Sequence, residues 1–259
     1  MSLARGLTVQ LEVLHALILR ETRTRFGAHQ LGYAWAIVEP LLWIGTIYFV
    51  FDLNGVMPPS GMNLVTFLAT GIVPYQLFRE SCSRVTVATN SNKGLLFYPQ
   101  VRPLDLIVSR VVLETATSIS VFALIVSGHA LIRGTFVIDG LLSVLLGFAL
   151  ASALGGGLGA ILCSSTVYTT TVERFAGPIL RPLFWVSGVF YTANDLPPQV
   201  LRLLSYNPLL HVTELVRDGF FTSYRSRVAE PLYVVAWVLV LWFFALAFER
   251  VSRRHIEVS

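Results

Sequence analysis

The chain has 259 residues, of which 54% are hydrophobic and only 13% are charged. Soluble domains carry roughly a quarter charged residues, so this composition excludes an ordinary soluble domain and predicts a single all-α membrane domain. The formal net charge of +4 is small for a protein that binds nucleic acid. We therefore expect no nucleic-acid partner.

The first predicted element is an amphipathic helix over residues 7–26. Its apolar face carries Leu7, Leu11, Leu14 and Ile18, and its charged side chains are Glu12, Arg20, Glu21, Arg23 and Arg25. This pattern predicts a helix that lies in the cytoplasmic membrane interface. A soluble helix that packs on a partner subunit is the alternative. Because Glu12 and His15 interrupt the apolar run, we expect no cleavable signal peptide.

Six apolar windows approach or reach the length of about 20 residues that a spanning helix needs. They cover residues 33–51, 64–88, 104–132, 140–172, 175–193 and 231–248. The fourth window is long enough to tilt, and only a tight turn at Glu173 and Arg174 fits before the fifth. Six spans place both termini on one side, and most arginines fall in the segments on that side. The sequence therefore predicts that both termini are cytoplasmic.

Two connecting segments have patterns of their own. Residues 90–103 contain glycine and proline breakers and predict a short helix or turn, which either docks on a partner or only connects two spans. Residues 196–222 are too polar to span but are periodic. Pro197 and Pro198 suit the start of one short amphipathic helix. Asn207 with Pro208, after Tyr206, suits the cap and the first turn of a second one. We expect these helices to enter the outer leaflet and return.

Charged residues also occur inside the apolar windows. Glu39 and Arg181 each precede a proline and lie roughly 9 Å from the cytoplasmic end of their windows at about 1.5 Å per residue. Buried charges in lipid are usually paired, so we hypothesise a contact between Glu39 and Arg181, or between one of them and Glu114. Direct substrate contact and snorkelling to the interface are the alternatives.

Aromatic residues are dense on the first and fifth windows. An interfacial belt with lipid-facing packing explains such residues, and a stacking surface for sugar rings is the functional alternative. The candidate substrate-pathway residues are Tyr33, Trp35, Glu39, Trp185, Phe190 and Tyr191.

The sequence shows no pattern for nucleotide, metal or nucleophilic chemistry. The sole lysine, Lys93, has no phosphate-loop pattern before it, and the five histidines lack metal-ligand spacing. The four-residue spacing of Ala151, Gly155 and Gly159 predicts close helix contact rather than a dinucleotide site. We expect no catalytic residue, metal site or cofactor in this chain, so energy for transport must come from elsewhere.

Several stretches carry a more specific signal than hydropathy. They are RETRTRFG at 20–27, LGYAWAIVEP at 31–40, Pro103-Leu-Asp105 with Arg110 and Leu113-Glu114, Arg181-Pro182, and YNPL at 206–209 with HVTEL at 211–215. Over nearly the whole chain, at matching spacing, the sequence resembles the permease subunit of the capsular polysaccharide ABC exporters of Gram-negative bacteria. Related O-antigen and teichoic-acid permeases match the arginine-rich opening less well.

This resemblance implies a type 2 ABC exporter that moves lipid-linked capsule polysaccharide across the inner membrane. Two copies of the chain would assemble with two ATPase subunits, which would hold the ATP and Mg. The interface helix and the loop at 90–103 would contact the ATPase, through Glu12, Arg20, Arg23, Arg25, Lys93, Tyr98 and Arg102. Periplasmic adaptor and outer-membrane export proteins would continue the route, and membrane lipids would surround the chain.

Two other classes of protein remain open on the residues alone. A secondary transporter predicts inverted repeats and paired intramembrane carboxylates. A membrane enzyme that acts on lipid-linked sugars predicts acidic or histidine residues clustered at one membrane face. Neither pattern is clear in this sequence, and co-purification with an ATPase subunit would separate both classes from an ABC permease.

Overall fold

The computed structural model describes residues 3–26, 31–134, 138–169 and 171–256, and the regular elements in these ranges are helices. The helices are α1 (Leu3–Phe26), α2 (Leu31–Leu53), α3 (Leu64–Thr86), α4 (Ala88–Ser91), α5 (Pro103–Arg133), α6 (Leu141–Ser165), α7 (Thr171–Leu180), α8 (Leu183–Val186), α9 (Pro198–Leu204), α10 (Pro208–Phe220) and α11 (Pro231–Ile256). Single 3₁₀ turns lie at Pro59–Gly61, Lys93–Phe97 and Ala193–Asp195. By length and apolar composition, α5, α6 and α11 are able to cross a membrane.

Helix α6 lies at the centre of the bundle because its glycines let neighbouring helices approach closely. A Cβ atom at Gly155 would lie 2.3 Å from the carbonyl oxygen of Phe78 on α3, and Gly159 meets α3 almost as closely. On another side of α6, the indole nitrogen of Trp242 on α11 donates to the carbonyl oxygen of Ala153 at 2.9 Å. The helix contact predicted from the spacing of the glycines is therefore confirmed.

Helix α10 begins where the sequence predicts but lies in a different environment. The side chain of Asn207 accepts a hydrogen bond from the backbone nitrogen of Leu209 at 3.0 Å, and Pro208 occupies the first turn. From Leu209 to Phe220 every residue except Asp218 is buried. Helix α10 is amphipathic in sequence, as expected, but it packs against α3, α6 and α11, so its polar residues are buried as well as its apolar ones.

The fourth apolar window does not form one helix to residue 172. Helix α6 ends at Ser165, and the turn that follows occupies residues 166–169. Glu173 and Arg174, which we expected in the turn, belong to α7. The change of direction therefore comes earlier in the chain than hydropathy suggests.

The fifth apolar window is a broken helix rather than a continuous span. Helix α7 ends at Leu180, and after Arg181 and Pro182 only the single turn of α8 follows. Pro182 removes a backbone donor, which interrupts helical hydrogen bonding. Gly188 then adopts a φ of +71°, a conformation that favours glycine, so the chain turns instead of continuing the helix.

The start and the end of the described chain lie at the same end of the bundle. Leu17 of α1 and Ala245 of α11 belong to one buried apolar cluster, together with Ala160 of α6. Further along α11, Ser252 donates to the carbonyl oxygen of Ser164 at 3.2 Å. The ends of α2 and α5 and the start of α3 form the opposite end, away from α1.

Candidate functional site

Helix α1 is attached to the first half of α5 and to the loop before it. The Arg20 guanidinium donates to the side-chain oxygen of Asn92 at 2.6 Å. Glu21 forms an ion pair of 3.2 Å with Arg110 of α5, which is buried. Leu17, at 7% exposure, packs into the apolar cluster between these contacts. The two segments that the sequence assigned to one partner contact are therefore neighbours.

Asp105 joins the loop, α5 and α1 at one point. One carboxylate oxygen accepts from the backbone nitrogen of Arg102 at 2.9 Å and caps the first turn of α5. The other oxygen accepts a hydrogen bond from the side-chain amide of Gln10 on α1. The sequence patterns assigned no role to Gln10 or Asp105. The signal that could have identified the cap is an aspartate two residues after a proline at the start of a helix.

Exposed side chains of α1 and of residues 90–103 form a surface that we call the coupling surface. On the loop it exposes Lys93, Phe97, Tyr98 and Arg102, and on α1 it exposes Glu12 and Arg23. Phe97 is 88% exposed and Tyr98 is 62% exposed, which is unusual for aromatic residues outside an interface. The side chain of Arg25 lies outside the described residues. An exposed aromatic pair with cations beside it suits a protein partner.

The loop also contacts α7. Asn90 donates from its side-chain amide to a carboxylate oxygen of Glu173 at 2.6 Å. Glu173 lies in the first turn of α7, close to the positive end of the helix dipole. A displacement of the coupling surface would therefore act directly on the broken helix α7.

The intramembrane acids pair with arginines other than the one we hypothesised. Glu39 of α2 lies 3.2 Å from Arg79 of α3. Glu114 lies 3.8 Å from Arg84. Arg181 is exposed at the break between α7 and α8. The expected Glu39–Arg181 contact was therefore wrong, because α3, rather than the α7–α8 segment, supplies the basic residue beside Glu39.

These pairs form a continuous chain of polar contacts between α1 and α2. From Glu21 it runs to Arg110, which donates to the carbonyl oxygen of Arg84 on α3. Within α3, Glu80 lies 3.7 Å from Arg84 and 2.8 Å from Arg79, and Arg79 reaches Glu39. These contacts connect α1 to Glu39, a candidate pathway residue, through α5 and α3.

Part of the predicted aromatic wall is assembled. The rings of Trp185 and Phe190 lie 5.1 Å apart, and Phe51 of α2 lies 6.3 Å from Phe190. Trp185 is 66% exposed and Trp35 is 62% exposed, whereas the side chain of Tyr33 is outside the described residues. Tyr191 has a separate role, because its carbonyl oxygen accepts from Arg217 at 2.7 Å. The break in the helix brings Trp185 and Phe190 together.

A buried ionic cluster in the second half of α10 was missed by our sequence analysis. Glu214 and Arg217 are each 0% exposed, and their side chains lie 3.3 Å apart. Tyr224 and Ser226 both donate to Glu214. Burial, followed by the charge of Glu214, raises the pKa of Tyr224. An acid and a base three residues apart on an otherwise apolar helix was the signal that could have identified this pair.

Among the described residues, no group of three or more histidine, cysteine, aspartate or glutamate side chains could hold a metal ion. The described part of the site consists of an exposed surface on α1 and residues 90–103, a chain of polar contacts into the bundle and a group of aromatic side chains.

Comparison with known proteins identifies the family of the chain. The profile of the family described as ABC-2 type transporter matches residues 12–221. The polysialic acid transport protein KpsM of Escherichia coli is 32% identical to this chain, with 98% of each chain covered. The capsule polysaccharide export inner-membrane protein CtrC of Neisseria meningitidis serogroup B is 30% identical, with 97% of this chain and 95% of CtrC covered.

A more distant relative is the O-antigen export system permease protein RfbA of Klebsiella pneumoniae, at 24% identity with 95% of each chain covered. KpsM and CtrC are thus named for polysialic acid transport and for capsule polysaccharide export at the inner membrane, and both align over almost their whole length. This chain belongs to the ABC-2 type transporter family.

Proposed function

We propose that this chain is the membrane subunit of an ATP-driven exporter that moves lipid-linked capsular polysaccharide across the bacterial inner membrane to the periplasm. Two copies would form the pathway, and two separate ATPase subunits would supply the energy. The observation that carries this proposal is the coupling surface, where α1 and residues 90–103 pack together and expose Phe97 and Tyr98. The identity to KpsM and CtrC, compared with that to RfbA, favours capsule over O-antigen.

In the proposed topology the chain crosses the membrane six times, through α2, α3, α5, α6, the broken α7–α8 segment and α11. Both termini are then cytoplasmic, in agreement with their position at one end of the bundle. Helices α9 and α10 form the re-entrant segment on the periplasmic side. The burial of α10 against α3 and α6 supports this assignment, because backbone at membrane depth must be covered by protein.

We further propose how closure of the ATPase pair reaches the pathway. Movement of the coupling surface would act on α5 through the Glu21–Arg110 pair and on α7 through the Asn90–Glu173 hydrogen bond. The polar chain through α3 ends at Glu39 on α2. Helices α2 and α7–α8 carry the aromatic side chains that would contact sugar rings. ATP binding would then favour the state in which the seam between the two copies is open.

The test of this proposal is the double variant Tyr98→Ala with Arg102→Ala, co-expressed with the ATPase subunit that supports export by the unmodified chain. Both side chains are exposed, so the fold should be retained, while the ATPase should no longer co-purify and polymer should accumulate in the cytoplasm. Tyr206→Ala is the matched control, because Tyr206 is equally exposed but lies far from α1. It should keep the ATPase bound. Full co-purification and full export by the double variant would rule out this coupling surface.

A second experiment separates capsule from O-antigen export. The chain and its ATPase should restore surface polymer in a strain lacking its own capsule permease and ATPase. They should not restore it in a strain lacking the O-antigen pair. Rescue of the O-antigen strain alone would reverse the assignment of substrate class.

A further inference from the structure

A cavity of about 660 Å³ lies between α2, α3 and α5 at the end of the bundle opposite α1. This volume falls within the range of about 300–1,000 Å³ that is typical of ligand sites. Most of the wall is apolar and includes Leu41, Val65, Leu124 and Ile125. None of the aromatic residues assigned to the proposed pathway lines the cavity, so it is a separate feature.

The polar part of the wall contains both signs of charge. Asp52 lies near the end of α2, and Arg133 is the last residue of α5, so both lie at the same end of the bundle. Within the described part of the chain, neither side chain forms an ion pair. His129 lies one turn before Arg133, and its buried Nε2 atom has no hydrogen-bond partner among the described residues. An unpartnered ring nitrogen beside a guanidinium suits an anionic oxygen.

The surroundings of the cavity are strongly apolar. Leu53, Leu131 and Ile132 are 68%, 88% and 84% exposed, respectively. Side chains of this kind around an opening face hydrocarbon in a membrane protein. A hydrophilic sugar would leave the apolar wall without a matching surface, whereas an amphiphile with a charged head would satisfy both parts of the wall.

We propose that this cavity binds one zwitterionic phospholipid of the surrounding bilayer. Its phosphate lies against Arg133 and His129, its ammonium group lies against Asp52, and an acyl chain lies along Leu41 and Leu124. The carboxylate of Asp52 favours an ethanolamine head group, whose ammonium group it can pair with. A glycerol head group has no ammonium group, so it would leave Asp52 unpaired beside a lipid with a net negative charge. The bound lipid would join α2 to α5 at this end of the bundle.

A cavity-filling variant tests this site without disturbing the fold. Gly128 lines the cavity, and a Cβ atom there would meet nothing within 4 Å. Gly128→Leu therefore fills the space that the acyl chain needs. Gly45→Leu is the matched control, because Gly45 has equally open surroundings on α2 but does not line the cavity.

The purified full chain is placed in vesicles of phosphatidylethanolamine and phosphatidylglycerol that contain a trace of phosphatidylethanolamine with a photoreactive acyl chain. No export substrate is present, so a signal comes from the bilayer lipid and not from a polysaccharide anchor. We expect labelling to concentrate on Leu41 and residues 124–133 in the wild type and in Gly45→Leu. Labelling of Gly128→Leu should be roughly tenfold weaker, which corresponds to a loss of about 1.4 kcal/mol of binding free energy.

The head group is tested separately. Arg133→Gln should weaken labelling by roughly tenfold, which corresponds to one charge-assisted hydrogen bond. Asp52→Asn should remove the preference for the ethanolamine probe over a matched glycerol probe. Labelling that is unchanged in Gly128→Leu, or spread evenly over the lipid-facing helices, would overturn the proposal. So would a crosslink between two copies at these residues with no lipid attached.

Discussion

Arg217 carries a full charge at a position with no solvent exposure. Its guanidinium donates to the carbonyl oxygens of Val189 and Tyr191, pairs with Glu214 and lies 4.2 Å from the centre of the Phe67 ring. Desolvation of such a pair costs several kcal/mol, and the hydrogen bonds offset this cost only while both partners are present. The cluster therefore holds the turn after α8 against α10.

Arg217→Leu should destabilise the protein by about 3–5 kcal/mol, because it leaves Glu214 charged and buried without its partner. The measurement is the midpoint of thermal unfolding of the purified protein in detergent. Arg202→Ala, an exposed arginine on α9, is the control and should shift the midpoint little. Equal midpoints for the two variants would show that the buried pair contributes nothing.

The partner of Glu39 can be tested by a double-mutant cycle. Glu39→Gln and Arg79→Gln should show a favourable coupling energy, because their side chains form an ion pair of 3.2 Å. The same cycle with Glu39→Gln and Arg181→Gln should show none. The readout is thermal stability in detergent. Coupling to Arg181 instead of Arg79 would restore the hypothesis that the structure rejected.

At the scale of the helices, the contact between α3 and α6 depends on the absence of a side chain. Gly155 faces the backbone of Phe78, which cannot move aside as a flexible side chain would. Close approach of this kind is favourable in a membrane, where there is no hydrophobic force between helices and packing has to supply the attraction. The central pair of helices is therefore sensitive to a single methyl group.

Gly155→Ala should separate α3 from α6 and destabilise the protein by about 1–3 kcal/mol. Gly45→Ala adds the same methyl group on α2 in open space and should be neutral or slightly stabilising, because alanine favours the helix. Both are compared by thermal unfolding and by the yield of monodisperse protein. A Gly155→Ala variant as stable as Gly45→Ala would contradict the packing.

Sequence patterns predicted the local features of these helices better than they predicted which helices pack against each other. Asn207 and Pro208 gave the start of α10, since a cap and a first-turn proline act within a few residues. The break at Pro182 was missed, because proline also occurs within intact membrane helices. Counting residues gave a predicted depth for Glu39, but a depth does not identify which helix lies beside it. The packing of α2 on α3 places Arg79, rather than Arg181, beside Glu39.

At the scale of the whole molecule, the two ends of the described chain lie on one side of the bundle, and the C-terminal ends of α2, α5 and α10 lie on the other. Within the described residues, length and apolar composition qualify α5, α6 and α11 as spans, whereas α3 carries the arginines and glutamates of the polar chain and α7–α8 is broken.

Site-specific labelling tests this orientation. Both native cysteines, Cys82 and Cys163, are buried and should not react with a membrane-impermeant maleimide. Ser223→Cys, in the exposed loop after α10, should react in spheroplasts. Phe97→Cys, on the coupling surface, should react only after the inner membrane is permeabilised. Reaction of Phe97→Cys in sealed spheroplasts would place the coupling surface, and the termini with it, in the periplasm.

The glycines of α6 also determine which helices can move. With no side-chain layer between them, α3 and α6 cannot slide or separate by small rotamer changes, and the buried cluster of α10 is tied to the same block. Helices α2 and α7 make fewer such contacts and lie at its edge. In the exporter proposed above, widening for a bulky polymer would therefore occur at α2 and α7, while the block of α3, α6 and α10 stays rigid.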